Sequence, residues 1–186
     1  MPAKQPAYLL DRASIEHALF KLEQLKESAA SFRSNALCRM FDLTPRKLQW
    51  WDERRVISPK IIGHARQYSI EDAILIGVIE NLRSRQVSLQ RIRSLVRFLN
   101  KGVRKTNLRE LPSFVVVYDD LPARRRRRHK HRHHRQNRRR RTRPADRVLF
   151  STDPEQIMAA LAEAGKGVRV VSLRSIIERI YRRGIQ

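Results

Sequence analysis

A single cysteine, Cys38, stands among 186 residues. This excludes an internal disulfide and any cluster of thiolate metal ligands within one chain, and structural burial is the expected role of Cys38. Long apolar runs are missing too. Lysine or arginine interrupts every apolar stretch before it reaches the ~18 residues of a membrane span, and residues 1–10 hold no apolar core of signal-peptide length. No membrane partner is expected, and the expected location is the cytoplasm. Acid is scarce: 18 Asp+Glu face 41 Lys+Arg, for a formal net charge of +23. So large an excess favours association with a polyanion, and for a soluble chain the commonest polyanion is nucleic acid. The excess is uneven. Residues 124–143 carry 13 Lys+Arg and no acid, leaving 28 basic against 18 acidic residues in the other 166, which are therefore basic as well.

Signatures of catalysis are also missing. The sequence has no Ser-His-Asp arrangement, Gly-rich phosphate loop or paired-histidine metal motif, and turn and cap roles explain Asp119-Asp120 and Glu71-Asp72. Neither an enzyme nor a cofactor is expected.

Residues 1–30 read as a flexible leader followed by an amphipathic helix, with Ile15, Ala18, Leu19, Leu22 and Leu25 at helical spacing. That apolar stripe needs a surface to pack on. Ser34–Phe41 reads as a short helix ended by Asp42-Leu43. Thr44 then serves as N-cap and Pro45 as first residue of a second helix. Pro59 stops that region, and residues 60–68 read as two small strands around a turn at Gly63. Ser69, with Asp72 three positions on, has the form of a capping box ahead of Ile70, Ile74, Leu75, Val78, Ile79 and Leu82. Ser88 opens a further helix whose Leu89, Ile92, Leu95, Val96 and Leu99 form one stripe, with Gly102 as its expected end. Residues 101–112 are then a connector closed by Pro112.

Beyond it the pattern turns extended. Residues 114–118, 147–151 and 168–173 are strand candidates rich in β-branched and aromatic side chains. A helix opens at Asp153-Pro154-Glu155 and is expected to end at Gly165, and Ile176, Ile177, Ile180 and Tyr181 form the apolar face of a last helix. The expected fold is mainly α with small β: a helix-turn-helix unit over residues 31–100, then a small α+β (ββαβα) domain over 113–184. An Arg/His-rich insertion at 122–146 interrupts the second unit.

Function is most legible in residues 34–99. Two helices joined by a short turn make a helix-turn-helix, whose second helix offers its N-terminal residues to base edges in the major groove. The strand-turn-strand after it is a wing. The second helix carries Arg46, Lys47, Gln49, Arg54 and Arg55, and the wing carries Lys60, His64 and Arg66. These donors suit phosphate oxygens and guanine edges, and Gln49 suits adenine.

The run Thr44-Pro45-Arg46-Lys47-Leu48-Gln49-Trp50-Trp51-Asp52, then Pro59, then Arg66-Gln67-Tyr68-Ser69, then Val87-Ser88-Leu89 with Ile92 and Leu95, resembles the winged-helix domain of MerR-type transcriptional regulators. Four landmarks in order carry the resemblance over about 65 residues. It implies a second helix in the major groove, an aromatic pair divided between DNA backbone and core, and a wing arginine on phosphate. Those roles fall on Arg46, Lys47, Gln49, Trp50, Arg66 and Tyr68. With Thr44, Arg54, Lys60, His64 and Arg85 they make the expected DNA-binding set. Adjacent helix residues point ~100° apart, so Trp51 is assigned to the core and Trp50 to the interface.

The sequence departs from the family's pattern in three respects. Asp42, Arg55 and Gln86 stand where the family usually has glycine, and Gln49 where it often has arginine. The family's cysteine pattern for metal sensing is missing. The long dimerisation helix that usually follows the fourth helix has no room before the β-rich 114–118. A homodimer is expected nonetheless, with the stripe of Ile176, Ile177, Ile180 and Tyr181 and that of Ile15, Leu19 and Leu22 as candidate surfaces. Double-stranded promoter or operator DNA is the expected main partner, RNA polymerase a further one, and the nucleoid the expected place of work.

The arginine tract at 124–143 admits three readings. It is a tolerated expansion in a hairpin loop, a nonspecific nucleic-acid arm acting through counterion release, or a metal site built from His129, His131, His133 and His134. The last is disfavoured because the surrounding cations repel a metal ion. Two alternatives to a sequence-specific regulator follow: a nonspecific RNA-binding or nucleoid-architectural protein driven by the tract, and an adaptor whose C-terminal domain recruits a partner or senses a small molecule.

Overall fold

The computed structural model describes residues 12–28, 31–119, 148–163 and 168–184. The leader, the arginine tract with its histidines, and the expected helix end at Gly165 lie outside them. Within the described residues the chain is mostly helical, with two small antiparallel sheets.

Helix α1 (Arg12–Ser28) precedes the two-residue strand β1 (Phe32–Arg33). Helices α2 (Ser34–Phe41) and α3 (Pro45–Glu53) follow, separated by Asp42, Leu43 and Thr44. The hairpin expected as a wing is β2 (Lys60–Ile62) and β3 (Ala65–Tyr68), paired antiparallel with Ile61 opposite Arg66. Strand β1, too short to leave a sequence signal, adds to the far edge of β3 with Phe32 opposite Tyr68. Helix α4 (Ile70–Ser84) opens with a complete capping box: the Asp72 amide donates to Ser69 Oγ at 3.2 Å, and the Ser69 amide to Asp72 Oδ2 at 3.1 Å.

Helix α5 (Leu89–Lys105) runs past Gly102, which corrects the expected end there. Val103, buried in the core, rewards another turn. The stop comes at Thr106, whose amide and hydroxyl both donate to the Gly102 carbonyl at 2.9 Å. Gly102 serves close packing instead, since a Cβ there would come within 2.9 Å of the Phe150 ring.

A 3-10 turn (Leu111–Ser113) leads into the second sheet, in which β4 (Val115–Asp119) lies between β5 (Val148–Ser151) and β6 (Val168–Ser172). Side chains alternate across a strand, and β4 uses both faces. Val115 and Val117 pack with Ile157 of α6 (Pro154–Glu163), while Val116 and Tyr118 join the main core.

Helix α7 (Leu173–Gly184) unites the molecule. Leu173, Ile176, Ile177 and Ile180 are buried in the same core as Leu37, Met40 and Phe41 of α2 and the apolar face of α4. Along another side α7 packs on α1, where Tyr181 Oη donates to Gln24 Oε1 at 2.6 Å and Lys21 lies 5.5 Å from the Tyr181 ring centroid. The α7 stripe is therefore covered within the chain by α2 and α4, and Leu22 of the α1 stripe is buried in the same core. Ile176, Ile177 and Ile180 are thus buried within the chain, while Ile15 and Leu19 stay partly exposed.

Candidate nucleic-acid interface

Helix α3 starts where its sequence demands. The Lys47 amide donates to Thr44 Oγ1 at 3.2 Å, and Pro45 occupies the first helical position, where its missing N–H costs nothing. Leu48 and Trp51 face inward, so Arg46, Gln49, Trp50 and Glu53 are exposed on the opposite side. The tryptophans divide as expected, with Trp51 1% exposed and Trp50 39%. A groove of about 400 Å³ runs along this side, lined by Thr44, Arg46, Lys47, Gln49, Trp50 and Glu53.

The cations here differ in freedom. Arg46 has no acidic partner among the described residues, and Arg54 lies 5.8 Å from the Trp50 ring centroid. Lys47 is held back: its Nζ is 2.9 Å from Glu80 Oε2 of α4 and 5.5 Å from the Trp51 ring centroid. Gln49 Nε2 donates to Glu53 Oε1 at 3.0 Å. The Lys47–Glu80 pair is part-buried, whereas the Gln49–Glu53 bond is exposed and open to competition from water.

On the wing, Lys60 and His64 are exposed, and among the described residues neither has an acidic partner. Arg66 reaches back to α3, with Nε 3.1 Å from Asp52 Oδ2, and so ties the root of the β2–β3 hairpin to that helix. Tyr68 is in the core at 1% exposure, and burial pushes its phenol up from the usual tyrosine value. Its ring belongs to the same core as Leu48 and Trp51. Arg85 is exposed at the end of α4 and donates to the Val170 carbonyl at 3.3 Å, apart from the α3 groove. Thr44, Arg46, Lys47, Gln49, Trp50 and Arg54 thus come together on α3, with Lys60, His64 and Arg66 on the adjoining wing.

Three features escaped the sequence reading. Glu80, which neutralises Lys47, lies 33 positions away and gives no local signal. Ile61, 70% exposed, and Ile62 project on the wing between its cations, where the alternation of a paired strand gave no reason to expect apolar exposure on both. The third is a clamp on the helix-turn-helix turn. Arg183 Nη1 and Arg179 Nη2 of α7 each stand 2.7 Å from Asp42 Oδ2, and Arg179 Nε donates to the Met40 carbonyl at 2.9 Å.

The three non-glycine departures from the family pattern are, among the described residues, the three non-glycine residues with positive φ: Asp42 at 54°, Arg55 at 52° and Gln86 at 65°. Cys38 is partly buried against the core, and that burial pushes its thiol up.

No helix among the described residues is long and apolar enough to cross a membrane. Residues 32–99 match the family model described as MerR HTH family regulatory protein. No curated protein matches the chain. Residues 32–99 are a MerR-type helix-turn-helix domain, the DNA-binding module of transcriptional regulators.

Proposed function

We propose that the chain is a sequence-specific transcriptional regulator whose helix α3 enters the major groove while the wing lies on the DNA backbone. One observation carries this reading. Arg46, Gln49 and Trp50 face outward along one groove of α3, and the Arg66–Asp52 pair fixes the wing cations beside it. Arg46 reads a base edge; Thr44, Lys47, Lys60 and His64 hold phosphates; Trp50 lies against the backbone with Arg54 on its ring. In this reading residues 31–100 meet DNA, and the β-rich residues 113–184 brace them through α7.

The protein works as a homodimer on paired half-sites, through a surface other than the buried stripe of α7. It acts on promoter DNA in the cytoplasm, within reach of RNA polymerase. Arg46→Ala tests the assignment. It should cost ~1–3 kcal/mol of affinity for the preferred site and relax preference at one base position, measured by selection from a random duplex pool. An unchanged preference would remove α3 from the groove.

The arginine tract supports a second reading, a nonspecific RNA-binding or architectural protein, because 13 cations without an acid bind any polyanion. Replacing residues 124–143 by Asn-Gly separates the two. The regulator keeps its preference for one site and loses salt slope, at about 0.9 for each phosphate contact removed. The architectural protein loses its binding altogether.

A further inference from the structure

A second basic site lies behind the recognition helix. The loop after α3, the first turn of α4 and the later turns of α5 enclose a pocket of about 150 Å³, whose polar lining includes Arg55, Ser58, Asp72, Arg97, Asn100 and Arg104. Its charges do not cancel. Asp72 is the one acid in the lining and is already engaged, by Arg104 Nη2 at 2.7 Å and by the Ser69 amide. Arg55 and Arg97 have no acidic partner among the described residues.

The lining is also donor-rich. Arg104 Nε donates to Asn100 Oδ1 at 2.6 Å, which leaves the Asn100 amide nitrogen to donate elsewhere. With the Ser58 hydroxyl and two guanidinium groups, donors come from the loop after α3 and from α5. Arg55 adds a backbone argument. It sits at φ 52°, a conformation that costs a non-glycine residue ~1–2 kcal/mol. Strain of this kind concentrates where a side chain has work to do.

We infer that this pocket binds a tetrahedral oxyanion of the phosphate class, held by Arg55 and Arg97 with Asn100, Ser58 and Arg104 around it. The pocket has room for several water molecules, enough for phosphate with part of its hydration shell. Donors drawn from both a loop and a helix suit a tetrahedral anion better than a flat carboxylate. Asp72 repels the ligand, and Arg104 screens it. Because Asp72 also caps α4 directly after β3, an anion drawing on Arg104 bears on the root of the wing.

The test needs no DNA and so does not depend on the assignment of α3. Inorganic phosphate is titrated into the full chain by calorimetry at constant ionic strength, which holds diffuse binding to the arginine tract fixed. Arg55→Gly/Arg97→Gln is compared with the charge-matched control Arg39→Gln/Arg182→Gln, and Arg97→Gln alone serves if the double variant does not fold. The wild type and the control should show one saturable site, weakened about tenfold or more in the pocket variants, as expected for lost charge-assisted hydrogen bonds.

A second titration on protein saturated with duplex DNA separates the two sources of phosphate. Persistent binding identifies a free anion. Displacement, with a shallower salt slope of DNA binding in the pocket variants, identifies a backbone phosphate. Absence of saturable binding by the wild type, or equal losses in pocket and control variants, would overturn the site.

Discussion

Gly77 lies inside α4 where α7 crosses it. A Cβ there would overlap Ile176 Cγ2 and come within 2.9 Å of Phe41 Cε1. Gly77→Ala therefore has two opposed effects. Overpacking costs ~1–3 kcal/mol, and replacing glycine in a helix interior returns ~1 kcal/mol, so a net loss of about 0–2 kcal/mol is expected. Ile176→Ala removes a buried side chain and should cost ~2–5 kcal/mol. Combined, the changes cannot simply add, because the new methyl group at position 77 occupies space that Ile176 vacates and the Phe41 ring can tilt into the same void. In the Ile176→Ala background, Gly77→Ala should be neutral or stabilising, a coupling of at least ~1 kcal/mol where independent sites agree within ~0.5. Urea unfolding of the four proteins, followed by far-UV circular dichroism with the denaturant slope checked for constancy, measures the cycle. Additive losses would mean that α7 does not share the core of the helix-turn-helix unit, and the description of one continuous core would fall with them.

Two further predictions concern left-handed positions. Arg55→Gly should stabilise the fold by about 1 kcal/mol through relief of its positive φ, read as a higher urea midpoint; a lower midpoint would mean that the Arg55 side chain contributes more to the free protein than its backbone costs. Hydrogen bonding from Arg183, with the charges of Arg183 and Arg179, holds the Asp42 carboxyl below its usual value. A depressed carboxyl contributes stability above its unfolded value of about 3.8 and loses it as pH falls through the folded value. Asp42→Asn should accordingly be less stable than wild type at pH 6, converge with it in acid, and lose most of the difference in high salt, because Asp42 is exposed. A gap between the two that does not change with pH would refute the clamp.

Much of the fold was legible because its signals are local. Thr44-Pro45 and the Ser69/Asp72 pair fix helix starts through bonds spanning three positions, and the stripes of α4 and α5 are one-dimensional patterns. That Trp50 and Trp51 cannot share one core followed from helix geometry. What stayed hidden depends on distant partners. A two-residue strand such as β1 exists only because β3 is there to pair with. Gly102 reads as a stop until Phe150, nearly 50 positions later, turns out to need the space. The stripes on α1 and α7 were readable as unsatisfied surfaces, but a sequence does not say whether an apolar face meets its own chain or another. The candidate interface followed the same division. Its residue types were visible in the helix and wing, while the pairing of Lys47 with Glu80 and the burial of Tyr68 required the packed molecule.

The three left-handed residues show how one local rule survives without its usual residue. After α2, α3 and α4 the chain reads Asp42-Leu43, Arg55-Val56 and Gln86-Val87, a polar residue followed by an apolar one. In each case the apolar residue's amide returns to a carbonyl five positions back: Leu43 to Cys38 at 2.9 Å, Val56 to Trp51 at 2.8 Å and Val87 to Leu82 at 3.1 Å. Leu43, Val56 and Val87 are all buried. Burying such a side chain is worth ~1.5–3 kcal/mol, against ~1–2 kcal/mol for a non-glycine residue at positive φ, so the reversal forms without glycine. A glycine at these positions would relieve strain and erase a side chain. At Asp42 that side chain holds α7 to the turn, and at Arg55 it lines the pocket between α3 and α5. At Asp42 the strain accompanies ion pairs to α7 that a glycine could not make.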